Sequence, residues 1–360
     1  MTSTGGDGAR AWVDVDLSAL LANARTVMGR SGARLLPMVK ANGYGLGAVR
    51  VAHALDALDP WGFGVATPGE GAELRAAGIE RPVVVFTPLV PAWREACLAA
   101  GLTPVIGDAR ALSCWTPTGR PFHVEIDTGM DRAGVRWDDA DSLEALRAAL
   151  RDGAACEGVL THFHSAETDP AACELQWQRF RAVVASLPTR PALVHGANSA
   201  AALRGSAYAG DVVRPGIFLY GGAAGASPLP APVAALRGLV VAVRRIAAGD
   251  SVSYRATWTA ARATTIATLA LGYADGVLRS LSNRGAVELG GRVRPIVGRV
   301  TMDMTMLDMG DAHAEPGDVA TLFGGRVTLD EQAAAAGTIA YELLTALGRR
   351  VERRYTGGPG

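Results

Sequence analysis

Residues 35–45 read Leu35-Leu36-Pro37-Met38-Val39-Lys40-Ala41-Asn42-Gly43-Tyr44-Gly45. Leu35, Leu36, Met38 and Val39 form a short apolar run, interrupted by Pro37, that reads as a buried strand, and Asn42-Gly43 with Gly45 are turn formers that stop it. Lys40 therefore sits at the carboxyl end of a strand, the edge where an α/β sheet or barrel builds its sites. It is also the one lysine among 35 basic residues. A guanidinium stays protonated, whereas a lysine amine among apolar neighbours or near other cations can lose its proton and condense with an aldehyde. A chain that uses arginine everywhere else and keeps one amine at a strand end points to a Schiff base there.

The same unit recurs outward from this stretch. Between residues 34 and 220, apolar β-rich runs begin near Arg34, Gly62, Pro82, Thr103, Phe122, Cys156, Ala192 and Asp211. Segments of helical period fall between most of them, including Pro68 to Ala77, Pro91 to Ala100, Ser142 to Arg151 and Ala171 to Ser186. Eight strand-then-helix units predict a closed (β/α)8 barrel rather than a doubly wound sheet.

Gly225-Ala226-Ser227-Pro228-Leu229-Pro230-Ala231-Pro232 reads as a linker, because clustered prolines suit neither a helix nor a central strand. Beyond it, Val233 to Ala247, Arg262 to Leu271, Arg292 to Arg299, Met304 to Asp308 and Val319 to Phe323 look like strands, with a single helix from Leu329 to Leu347. The expected architecture is α/β: a (β/α)8 TIM barrel over residues 1–228, then a mainly β carboxyl-terminal domain over 229–360. Residues 10–16, with the alternating run Trp12-Val13-Asp14-Val15-Asp16, are expected to pair with that second domain.

Formal charge is zero, so nucleic acid and acidic membrane surfaces are poor partners. Met1 to Arg10 is polar and glycine-rich, without the apolar core of a signal peptide, and no stretch approaches the roughly 18 apolar residues of a membrane span. Cys97, Cys114, Cys156 and Cys173 form no Cys-x-x-Cys pair, which argues against a zinc or redox motif and fits idle thiols in a reducing compartment. A cytoplasmic protein without a metal site is expected.

On the barrel reading, Lys40 ends strand one, Glu125 and Arg132 strand five, His162 strand six, His195 strand seven and Arg214 strand eight. Titratable groups from five strands thus converge on the rim where barrel active sites lie. Strand seven is followed by His195-Gly196-Ala197-Asn198-Ser199 and strand eight by Arg214-Pro215-Gly216-Ile217. Glycines that let backbone N–H groups approach, a hydroxyl and a helix start are what a phosphate needs, although Ser199 alone would be an ordinary cap.

These segments carry a resemblance. Residues 39–47 resemble the pyridoxal-phosphate attachment motif of the alanine racemases, with Gly43 in place of alanine and Leu46 in place of histidine. Val194 to Ser199 is similar to that family's phosphate loop, and Val213 to Ile217 with Leu219-Tyr220-Gly221 to its arginine motif. Ile126 to Met130 with Arg132 and Gly134, and Leu160 to Phe163, resemble its strand-five loop and strand-six histidine. Further on, Val252-Ser253-Tyr254 resembles the catalytic tyrosine motif and Leu271 to Gly276 the entrance loop. Gly298-Arg299 with Met302-Asp303 resembles the substrate loop, and Ala340-Tyr341-Glu342 the terminal phosphate tyrosine. The matches run in order from about residue 12 to residue 355.

The resemblance implies a role at each matching position. Lys40 would carry pyridoxal 5′-phosphate. Tyr44, Ser199, Gly216, Ile217 and Tyr341 would hold its phosphate, with Asn198 in the same loop and Arg214 on the pyridine nitrogen. His162 and His195 would bracket Arg214. Lys40 and Tyr254 would be the two bases of a racemisation, each serving one face of Cα. Arg132, Met302 and Tyr273 would contact an amino-acid substrate, with Glu125 and Asp303 in support, and a head-to-tail homodimer would bring Tyr254 to the rim of a partner. Two positions depart from the pattern: Glu125 stands where the family commonly has a carbamylated lysine, and Arg255 where it often has glycine. The rivals are a racemase of another or broader set of amino acids, a fold-related amino-acid decarboxylase and a non-catalytic pyridoxal-phosphate protein. The last resembles only the barrel.

Overall fold

The computed structural model describes residues 8–225 and 227–358. Residues 1–7 of the polar amino terminus, and Ala226 within the proline-rich linker, lie outside the described residues.

Eight short parallel strands lie where the alternation placed them: Arg34–Leu35, Phe63–Val65, Val83–Val85, Thr103–Ile106, Phe122–Asp127, Cys156–Leu160, Leu193–His195 and Val212–Val213. Neighbours pair in register, as in Phe63 with Val83, Val105 with His123, Val124 with Val159, Val159 with Val194, and Val212 with Arg34. The ring closes through backbone hydrogen bonds beyond these pairs: the Asp211 N–H donates to the Val194 carbonyl at 2.8 Å, and the Val39 N–H donates to the Gly64 carbonyl at 2.8 Å beside the parallel bridge of Met38 with Gly64. Val83–Val85, Thr103–Ile106 and Phe122–Asp127 are buried at every residue, as strands covered on both faces must be.

Helix starts follow local chemistry. Thr67 and Glu70 form a capping box with Pro68 at the first helical position of Pro68–Ala76, and Asp139 and Asp169 cap Ala140–Arg151 and Pro170–Ala185. Each such cap contributes about 1 kcal/mol. Where one helix was expected from Pro91, a 3-10 turn, Pro91–Trp93, precedes Arg94–Ala99.

Beyond the linker, the strand Ala234–Ile246 organises the second domain. It pairs antiparallel with Thr264–Leu269, Val319–Phe323 and Ala11–Asp16, and a register shift between Val240 and Ala242 lets one strand serve this many neighbours. Ala11–Asp16 also runs parallel to Glu352–Thr356, so the amino-terminal strand is part of the carboxyl-terminal sheet. Asn23 fastens the linker to the first helix, its side chain accepting from the Ala231 N–H at 2.8 Å and donating to the Ala231 carbonyl at 2.9 Å.

Two expectations fail here. The single helix from Leu329 to Leu347 is two, Leu329–Ala336 and Ala340–Thr345, because Gly337 turns left-handed with φ 73° and ends the first. The strands Ala286–Leu289 and Glu352–Thr356 were not foreseen. The second is Glu-Arg-Arg-Tyr-Thr, an edge strand too charged to show apolar alternation.

Candidate active site

Val39 ends the extended run and Lys40 opens a turn rather than a plain loop. Ala41, Asn42, Gly43 and Tyr44 all have φ between 52° and 61°, a left-handed helical turn. Each non-glycine residue held there costs about 1–2 kcal/mol, so the surroundings must hold it. Glu70 does so: its carboxylate accepts the Ala41 N–H at 2.8 Å and the Ala66 N–H at 2.6 Å. Asn42 Oδ1 accepts the Ala48 N–H at 3.0 Å. The turn carries Lys40 and Tyr44 to the carboxyl-terminal rim, where a cavity of about 230 Å³ opens.

Lys40, Tyr44, Glu125, Arg132, His162, Asn198, Ser199, Arg214, Gly216 and Tyr341 all line that cavity, with Met38, Phe86 and Leu160 as its apolar part. At one end Tyr44 stacks on Tyr220, ring centroids 4.4 Å apart, and faces Tyr341 at 5.9 Å. Ser199 Oγ accepts the Gly216 N–H at 2.9 Å, and Asn198 Oδ1 caps the following turn by accepting the Ala201 N–H at 3.0 Å. A Cβ on Gly216 would run into the Tyr44 hydroxyl, so this glycine keeps the hydroxyl end open. Burial pushes the Tyr341 phenol up to about 12, so it stays a neutral donor.

At the other end Arg214 is buried. Its Nη1 donates to His195 Nδ1 at 2.8 Å and its Nη2 to the Thr161 carbonyl at 2.7 Å and the Gly196 carbonyl at 3.2 Å. Burial draws its guanidinium down to about 10, which leaves it charged at neutrality. His162 is pulled down to about 3, first by burial and then by Arg214, Arg132 and Lys40, so its ring is neutral. Burial, Arg132 and Arg214 lower the Lys40 amine, against the opposing pull of Glu70. Burial raises the Glu125 carboxyl, against Arg132 and Arg214.

Other expected residues stand elsewhere. His195 does not reach the cavity; its side chain turns into the barrel interior between Arg214 and His123 and is fully buried. Ile217 is buried behind Gly216 and is not on the cavity wall. The Glu125–Arg132 pair forms no hydrogen bond, its closest atoms being 3.9 Å apart. Tyr254, Tyr273, Met302 and Asp303 belong to the second domain and do not line the Lys40 cavity of the same chain. Tyr254 is 73% exposed and borders a separate hollow of about 720 Å³ with Arg244, Asp250, Thr301 and Met304. Asp303 binds Arg350 at 2.7 Å, and the fully buried Asp275 receives both Arg10 and Arg350, tying the Tyr273 and Met302 loops to the chain ends. Glu70, Asp275, Arg10 and Arg350 were missed, although Thr67 and Glu70 spell a capping box in the sequence.

A (β/α)8 barrel whose carboxyl-terminal rim gathers a depressed amine, a hydroxyl-lined end kept open by a glycine and a buried guanidinium defines a barrel enzyme suited to a phosphorylated aldehyde. Comparison with known proteins narrows the class. Residues 15–224 match the alanine racemase N-terminal domain, and residues 233–355 the alanine racemase C-terminal domain. The alanine racemase of Acidiphilium cryptum is 39% identical over 351 residues, covering 94% of this chain and 97% of that protein. That of Symbiobacterium thermophilum is 40% identical over 377 residues, covering 98% of each. The Streptomyces lavendulae alanine racemase structure superposes with a TM-score of 0.89 at 33% identity, covering 98% of both chains. The Bartonella henselae structure, which has covalently bound pyridoxal phosphate, superposes at 0.90 with 32% identity, covering 97% of this chain and 100% of that one. The chain belongs to the alanine racemase family.

Proposed function

We propose that this protein is an alanine racemase that uses pyridoxal 5′-phosphate to interconvert L- and D-alanine with two bases, Lys40 and Tyr254, drawn from different subunits. The observation that carries the reading is the convergence of the only lysine with Tyr44, Ser199, Gly216, Tyr341 and Arg214 on one cavity. The residues fit the cofactor: a Cβ at Gly216 would fill the space beside the Tyr44 hydroxyl, and the amine stands on the same wall. Bound there, the cofactor supplies an electron-withdrawing ring that acidifies the substrate's Cα–H.

Tyr44, Ser199 and Tyr341, with the backbone at Gly216 and Ile217 and the Asn198 turn, would hold the phosphate. Arg214 would donate to the ring nitrogen; a donor that keeps its own charge would leave no proton there and keep the ring a weak electron sink, which would favour prompt return of the proton to Cα. Neutral His162 stands beside it. Lys40 would move a proton at one face of Cα, and the partner subunit's Tyr254 would serve the other. Arg132 holds the substrate carboxylate, Glu125 lends it a countercharge, and Tyr273, Met302 and Asp303 shape the substrate end.

The exposure of Tyr254 and its place outside the Lys40 cavity support a head-to-tail homodimer with shared sites. The same reading divides the chain into a cofactor-binding barrel over 1–228 and a β domain over 229–360, with the amino-terminal strand in the second sheet. Among the described residues no helix is long and apolar enough to cross a membrane, and the four cysteines are free, which supports a cytoplasmic location. Chirally resolved product analysis after adding the cofactor, with a panel of L-amino acids, tests the function. D-alanine from L-alanine is expected; carbon dioxide release, or turnover of other amino acids but not alanine, overturns it.

A further inference from the structure

Behind Arg214 a line of polar groups crosses the barrel interior away from the cavity. Arg214 Nη1 lies 2.8 Å from His195 Nδ1, His195 Nε2 lies 3.0 Å from His123 Nδ1, and His123 Nε2 faces Glu157 Oε2 at 3.6 Å. His195 is the last residue of Leu193–His195, at the rim, whereas His123 and Glu157 are each the second residue of their strands, Phe122–Asp127 and Cys156–Leu160. The line therefore runs from the catalytic end of the barrel to its amino-terminal mouth. There Glu157, 32% exposed, borders a separate cavity of about 340 Å³.

Hydrogen-bond chemistry gives the line one direction. A guanidinium only donates, so His195 Nδ1 accepts and the His195 proton is on Nε2. That proton is donated to His123 Nδ1, which puts the His123 proton on Nε2. Among the described residues His123 Nε2 is a fully buried nitrogen without a hydrogen-bond partner, and the group it faces is a carboxylate, an acceptor when ionised. Space has been kept for this arrangement: a Cβ at Gly158 would stand 2.8 Å from three atoms of the His123 ring.

We propose that Glu157 is a positioning residue for Arg214: its carboxylate takes the His123 Nε2 proton as a hydrogen-bond acceptor and so anchors the tautomers that Arg214 imposes through His195, holding the guanidinium in place from the far end of the barrel. Burial lowers both rings, which keeps them neutral and makes a tautomer, rather than a charge, the state that is held. Glu157 touches neither substrate nor cofactor on this account and acts only through two imidazoles. Its effect on turnover rests on the racemase reading; the tautomers themselves do not.

The test is histidine side-chain ¹⁵N spectroscopy of the holoenzyme, its six histidines assigned by single substitution, beside alanine kinetics in wild type and Glu157→Gln. In the wild type His123 and His195 should both carry their proton on Nε2, a readout that stands whether or not alanine is racemised. The substitution keeps the side-chain shape and a carbonyl acceptor but removes the charge of the carboxylate. Arg214 still sets the tautomers through His195, so both rings should keep their proton on Nε2; the His123 Nε2–H, left with a neutral acceptor, should lose the downfield proton shift of a charge-assisted hydrogen bond, and kcat should fall about threefold to tenfold with KM for alanine unchanged and melting temperature retained. A proton on Nδ1 of either ring in the wild type overturns the proposal. So does a variant whose His123 Nε2–H shift is unchanged whatever its kcat, or one with a changed shift and full kcat. Wild-type protein with the expected tautomers but no racemase activity would instead refute the functional reading and leave the tautomer relay standing.

Discussion

Glu125 Oε1 lies 3.9 Å from Arg132 Nη2, within reach of an ion pair and beyond that of a hydrogen bond. Glu125 is buried while the Arg132 side chain is 56% exposed, so solvent screens one partner of the pair. A screened pair contributes about 0.2–1 kcal/mol, and Glu125→Gln should lower kcat/KM by at most about fivefold. Since the carboxylate is covalent and the chain has no second lysine to carbamylate, removing bicarbonate from the assay should leave activity unchanged. Steady-state kinetics in degassed and bicarbonate-supplemented buffer check both statements.

Borohydride reduction of the holoenzyme should place one pyridoxyl group on the peptide containing Lys40, detected by mass spectrometry, and none on Lys40→Arg. The chain offers no other side-chain amine.

Gly216→Ala should weaken cofactor binding by about tenfold or more, because the new methyl group meets the Tyr44 hydroxyl where the phosphate is to be held. Titration of cofactor-free protein by absorbance measures it; adding Tyr44→Phe in the same chain should recover part of the loss, since the clashing oxygen is gone.

The Lys40 amine is lowered from its ordinary 10.5 by burial, Arg132 and Arg214, and raised by Glu70. A lowered value means that the neutral, reactive amine appears at lower pH. The rate at which cofactor-free protein takes up the aldehyde should therefore rise with pH along a limb below that of free lysine. Arg132→Gln removes a cation and should move the limb upward, whereas Glu70→Gln removes an anion and should move it downward. Stopped-flow absorbance across pH reads both, and shifts of the same sign in the two variants would contradict the electrostatic account.

Equal amounts of Lys40→Ala and Tyr254→Phe subunits, each inactive alone, should on exchange recover about a quarter of wild-type activity. Half of the dimers would then be mixed, with one of their two sites intact. Complete exchange, shown by native mass spectrometry, without recovered turnover would mean that one chain completes its own site.

Much of this molecule could be read from local pattern. Strand starts near Arg34, Phe122 and Cys156, and the helix beginning at Pro68, follow from apolar runs and caps, which depend on residues a few positions apart. The singular lysine declared its chemistry because one amine among arginines is informative before any coordinates exist. The break at Gly337 and the strand Glu352–Thr356 were not legible, since φ at one glycine and the pairing of a charged edge are settled by the neighbours they pack against.

The sequence alone determined the class: eight strand-then-helix units, the amine at a strand end and the glycine-rich loops are set by residue type and spacing. Tertiary structure decided which of those residues share a site. It turned His195 inward to His123 and left Tyr254 outside the cavity that holds Lys40. It recruited Glu70 to hold a left-handed turn, and it joined Arg10 to Arg350 through Asp275. Direction of a side chain and encounters across 265 positions, as between Arg10 and Asp275, come from how strands close into a ring and sheets share a strand, which no local pattern encodes.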